Sequence, residues 1–188
     1  MTIFEYFMVL LSVVLSLTLT KLVTGVGELI RARGRVQWSI DYVFWLVFGL
    51  VLVIDVWTSL WLLRSVATWS LVTLIFLLLW VVSVFLFVQW LLPDRVGDEP
   101  IDLRTYLLAQ RRLFLGAVLA YCLGAGATNI LVLPAGAFDL ANYAVLLPAI
   151  VITAMAWWSP RPWVQRTAPI AMNLLWATYF AIYFRTIG

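Results

Sequence analysis

The order of hydrophobic and polar positions gives six long apolar runs, near 6–29, 38–63, 69–92, 104–133, 140–158 and 168–184, separated by polar or turn-forming stretches. A helix needs about 20 mainly apolar residues to cross a bilayer, with a lower bound near 17. The breaks between runs have physical causes. Residues 31–37 carry Arg31, Arg33 and Arg35 around Gly34; 93–103 open with Pro93 and contain Gly97 and Pro100; 159–167 hold Pro160 and Pro162. Proline withdraws an N–H donor and glycine relaxes the backbone, so both interrupt a helix. The pattern predicts an all-α integral membrane protein, a single polytopic domain over residues 1–188 built as three helical hairpins. The first run lacks a basic flank and a small-residue cleavage motif, which predicts a retained helix rather than a removable signal peptide.

Composition supports that class and removes several chemistries. The 188 residues are 65% apolar and 11% charged, against about half and about a quarter in soluble domains. No histidine is present, which excludes bis-His haem, His-ligated chlorophyll, His-based metal sites and Ser-His-Asp or Cys-His catalysis. The single cysteine, Cys122, lies in an apolar run and reads as a buried thiol. No Gly-rich phosphate loop or metal-spaced cysteines appear, and the longest polar stretch, 93–103, is too short for a domain. No enzymatic activity is expected. Bound lipid, quinone or carotenoid stays open as a ligand.

Charge predicts orientation. Of 12 Lys and Arg, nine fall in the first, third and fifth connections: Arg31, Arg33, Arg35, Arg95, Arg104, Arg111, Arg112, Arg161 and Arg166. Arg64 and Arg185 fall on the opposite side, and Lys21 lies within a helix. Short basic loops stay cytoplasmic, so both termini are expected outside a bacterial-type inner membrane. The basic excess is thereby assigned to topology and not to nucleic acid. Trp38, Trp90, Trp157, Trp158 and Trp163 are expected as anchors at the cytoplasmic ends, with Trp69 at the outer end, where an apolar ring keeps its N–H wet. Trp45, Trp57, Trp80 and Trp176 fall deeper, to be covered by protein, acyl chains or a bound apolar molecule. The 104–133 run would extend about 45 Å if helical throughout, beyond the roughly 30 Å hydrocarbon core. Its start, capped by Asp98 or Asp102, is expected to overhang the membrane as a solvated end or a contact for another protein.

Within the spans, two ladders stand at i+4 spacing: Ser12, Ser16, Thr20 and Thr24 in the first helix, and Gly116, Ala120, Gly124 and Thr128 in the fourth. Small residues let backbones approach where lipid gives no hydrophobic drive, so both ladders are expected to face protein. Their position at the start of each three-helix half is compatible with an inverted 3+3 pseudo-repeat, although the halves show no residue-by-residue similarity.

An ionised group in hydrocarbon is costly unless paired or wet. Lys21 sits inside the first helix, while Asp41 and Asp55, fourteen residues apart, share one face of the second. Thr58 and Ser59 continue the Asp55 face; Trp57, Trp61 and Arg64 form the opposite stripe. In one reading Lys21 pairs with an aspartate and fixes helix register. In the other, Lys21, Asp55, Thr58 and Ser59 form an intramembrane proton or cation site. Asp41 is expected to be wet or paired with the 31–35 loop, Asn129, Asn142 and Asn173 to bond between helices, and Asp139 to cap the fifth helix. The functional expectation is a structural or accessory subunit of a homo-oligomer or larger membrane complex, with membrane lipids and other membrane-protein subunits as partners. The alternative is a small ion- or proton-coupled transporter or channel.

Overall fold

The computed structural model describes residues 3–66, 69–94, 97, 99–131 and 140–183. Among them are six α-helices: α1 (Ile3–Arg31), α2 (Ile40–Leu62), α3 (Leu71–Leu91), α4 (Leu103–Leu131), α5 (Leu140–Trp158) and α6 (Pro162–Tyr183). Two short strands, β1 (Val36–Gln37) and β2 (Ile101–Asp102), pair in parallel. Helices α1 to α4 are each long and apolar enough to cross a membrane, whereas the apolar stretch of α5 at Tyr143–Trp158 is shorter. Of the six expected spans, four are thus matched by helices of sufficient length and apolarity.

Local chemistry sets the ends. Ser70 caps α3, its hydroxyl accepting from the Thr73 N–H at 3.0 Å. Asp102 does the same for α4, accepting from the Arg104 N–H at 3.0 Å and the Thr105 hydroxyl at 2.6 Å. The Thr105 bond, with those from the Arg104 and Thr105 backbone, holds the exposed Asp102 carboxyl below the usual carboxylate range. Of the two expected caps, Asp102 takes the role, and Asp98 lies outside the described residues. The last helix starts at Pro162, not near 168. Proline is tolerated in the first turn because its missing N–H would have had no partner there, so Pro162 opens the helix instead of marking a loop.

The helices pack in the ring α1–α3–α4–α5–α6–α2, closed by contact of α2 with α1; α2 also reaches inward to α3 and α4. This order differs between the halves. α1 packs along α3, whereas α6 packs on α5 and α2, which lends no support to an inverted repeat. One end of the bundle is tied together by polar groups. The Ile101 N–H donates to Arg35 O at 2.9 Å beside the two-strand ladder, so the 31–37 and 93–103 connections meet. The last carbonyls of α3 lack helical donors; Tyr42 donates to Leu91 O at 3.0 Å and Tyr106 to Leu92 O at 2.9 Å. The start of α4 is accordingly docked, with Leu103 and Leu107 buried and Leu108 exposed on its other face. Gln165 joins α6 to α5 in the same way, donating to Ala156 O and Ser159 O, each at 2.7 Å.

Aromatic rings fill the interior. Trp45 meets Phe114 edge-on at 5.2 Å, Phe48 meets Trp176 edge-on at 5.3 Å, and Trp80 stacks on Tyr121 at 5.7 Å. These edge-to-face and offset contacts suit the ring quadrupole. Trp45, Trp80 and Trp176 are thus covered by the chain itself, while Trp57 is exposed on the outer surface.

Candidate functional site

Asp55 lies on the buried stripe of α2, seven residues after Phe48 and so on the same side of the helix. It is only 6% exposed, about 10 Å short of the helix end at Leu62 at about 1.5 Å per residue. Tyr121 of α4 donates its phenolic O–H to Asp55 Oδ2. The ring of Tyr121 is fixed by stacking on Trp80, whose indole N–H donates to Tyr121 O at 3.1 Å. Trp176 also borders the carboxylate, although its N–H completes no hydrogen bond within the described residues. Asp55 makes no ion pair among the described residues. A carboxylate held by a phenol in an aromatic enclosure can take up or release a proton without breaking a salt bridge.

Lys21 is not part of this cluster. Its Nζ lies 3.9 Å from Asp94 Oδ1, just beyond the end of α3. Its neighbour Leu22 reaches Gly49 on α2, six residues and about 9 Å before Asp55. The long lysine stem instead carries the ammonium towards the polar end of the bundle. The expected pairing of Lys21 with Asp55 or Asp41 is corrected accordingly. Thr58 and Ser59 are half-buried. Thr58 bonds back to Ile54 O at 3.1 Å and Asp55 O at 3.0 Å, which satisfies its own hydroxyl. Asp41 is 5% exposed, so it is not wet, and its Oδ2 has no hydrogen-bond partner among the described residues. The two-sided reading of α2 holds: Asp41 and Asp55 are buried, whereas Trp57 and Trp61 face outward, with Arg64 5.0 Å over the Trp61 ring.

The two ladders separate. On α1, Ser16, Thr20 and Thr24 are exposed on the outside of the bundle and Ser12 is half-buried. The expectation that this ladder faces protein is not met within the chain, because Leu11, Leu15, Thr18 and Leu22 form the buried face. The outward hydroxyls bond to carbonyls of their own helix; Thr20 to Ser16 O and Thr24 to Thr20 O are both 2.7 Å. On α4 the ladder does face protein at Gly116, Gly124 and Thr128, with Ala120 exposed. A Cβ at Gly116 would meet the Trp157 ring at 2.8 Å, and one at Gly124 would collide with Cδ1 of Trp80. Each glycine therefore admits an indole.

Among the expected anchors, Trp38, Trp158 and Trp163 are exposed, while Trp69, Trp90 and Trp157 are half-buried against the chain. Asn173 bonds between helices, donating to Phe44 O on α2 at 2.9 Å. Asp139, Arg95 and Arg185 lie outside the described residues, as does the side chain of Asn142.

Sequence reasoning missed Tyr121. The available signal was a mid-span tyrosine, whose O–H needs an acceptor when buried, at a depth where Asp55 was the free carboxylate. No family model matches this chain, and no curated protein or solved structure matches it.

Proposed function

We propose that the protein is a non-enzymatic, multi-pass membrane component that assembles with further copies of itself or with other membrane-protein subunits. The supporting observation is the α1 surface: Ser16, Thr20 and Thr24 form a small-residue stripe that the chain's own helices leave uncovered. Such a stripe permits close helix approach, the main source of association where lipid offers no hydrophobic drive. In this reading the six helices cross an inner membrane as three hairpins with both termini outside. The arginine distribution and the joined 31–37 and 93–103 connections support one basic, cytoplasmic end. The test is the mass of the intact particle after gentle detergent extraction, for wild type and for Thr20→Leu. A larger particle that shrinks in the variant is expected; a wild-type monomer in mild detergent would refute the reading.

A second reading rests on Asp55. A buried carboxylate held by Tyr121, with no ion pair among the described residues, supports proton or cation handling by a small transporter or channel. Lys21 has no part in it, since it pairs with Asp94. In reconstituted vesicles, Asp55→Asn should abolish flux or its pH dependence with the fold intact. Unchanged flux would remove this reading.

A further inference from the structure

We infer that the junction of α5 and α6 is a seat for one anionic phospholipid. A groove of about 500 Å³ is lined by Val151, Met155 and Trp158 of α5, Arg161 of the turn, and Trp163 and Val164 of α6. That volume lies in the range of about 300–1,000 Å³ common for ligand sites. The groove opens on the outer surface of the bundle, because Val151, Met155, Trp158 and Trp163 are 56%, 48%, 75% and 56% exposed. In a membrane that surface meets acyl chains, and the apolar floor suits one of them.

Charge selects the headgroup. Between residue 140 and the C-terminus the sequence contains Arg161, Arg166 and Arg185 but no Asp or Glu. Arg161 is exposed and makes no ion pair among the described residues. Arg161 belongs to the turn between the helices and lines the groove there, so a phosphodiester at the level of the turn, above an acyl chain in the groove, would come within reach of its side chain. Basic pockets between spanning helices bind anionic headgroups, and exposed tryptophans mark headgroup depth. A guanidinium offers paired donors to phosphate oxygens. A zwitterionic lipid brings its own ammonium and competes with Arg161 for the phosphate, so a net negative lipid is the better occupant.

The inference rests on the membrane-spanning reading and is independent of self-assembly, which particle mass tests separately. The experiment titrates delipidated full-length protein in detergent with phosphatidylglycerol or phosphatidylcholine, counting bound lipids by native mass spectrometry. Phosphatidylglycerol should bind more tightly, and Arg161→Gln should weaken it by about tenfold, the loss of a charge-assisted contact. Arg161→Lys should restore part of the affinity. Met155→Trp, which fills the groove and leaves the arginine, should weaken both lipids. Equal binding of the two lipids by wild type, or wild-type affinity in folded Arg161→Gln, would overturn the proposal. Full competition by millimolar inorganic phosphate, with Met155→Trp unaffected, would also overturn it by showing a phosphate site without an acyl seat.

Discussion

The hydroxyl of Tyr121 donates to the carboxylate of Asp55 across 66 residues of chain, joining α4 to α2 in the aromatic interior. Water cannot replace this donor, since Tyr121 is 1% and Asp55 6% exposed. Tyr121→Phe should therefore lower stability by about 1–3 kcal/mol, the cost of an unsatisfied buried acceptor. A double-mutant cycle with Asp55→Leu should return a coupling of about 0.5–3 kcal/mol. Reversible unfolding in mixed micelles reads both values; a Tyr121→Phe protein as stable as wild type would show that the bond contributes nothing.

Gly124 is fixed by the Trp80 indole, which is held in turn by its bond to Tyr121 O and cannot easily withdraw. Gly124→Ala should cost about 1–3 kcal/mol through overpacking. Gly27 is the contrast, since a Cβ there would meet only Arg31 Nη2 at 3.9 Å. Gly27→Ala should be neutral or stabilising by up to about 1 kcal/mol through helix propensity. Melting temperatures of the two variants, measured side by side, check the difference in sign.

Lys21 and Asp94 form a long, partly exposed pair at 3.9 Å, with side chains 28% and 83% exposed. Lys21→Met should therefore change stability by less than about 1 kcal/mol. A loss of folded protein in this variant, recovered by replacing Asp55 as well, would indicate a pairing with Asp55 that the geometry opposes.

Asp102 caps α4 through the Arg104 N–H and the Thr105 hydroxyl. Asp102→Ala should cost about 0.5–2 kcal/mol at neutral pH. The folded carboxyl titrates below its usual range, so its contribution is present above the unfolded pKa of about 3.9 and is lost as pH falls through the lower folded value. The stability difference between wild type and Asp102→Ala should thus be constant near pH 6 to 7 and shrink below about pH 4. A difference that grows on acidification would contradict the cap.

The elements were legible in the sequence because they depend on local chemistry. Apolar run length and the positions of Pro93, Pro100 and Pro160 bound five of the six helices within a few residues, and the exception, α6, turned on Pro162 acting as an opening residue instead of a break. The buried face of α2 was legible too, since Asp41 and Asp55 repeat with the helical period. Tertiary structure decided what those faces meet. A periodic pattern says that a residue shares a side with others but not which helix lies opposite, and six helices can be ordered around a ring in many ways. Only their packing placed Tyr121 against Asp55, sent Lys21 to Asp94, and left the α1 ladder outside while the α4 glycines received Trp157 and Trp80. The ladders look alike in sequence because small residues permit close approach on any face; whether one is used within the chain depends on the volume of the side chains brought against it.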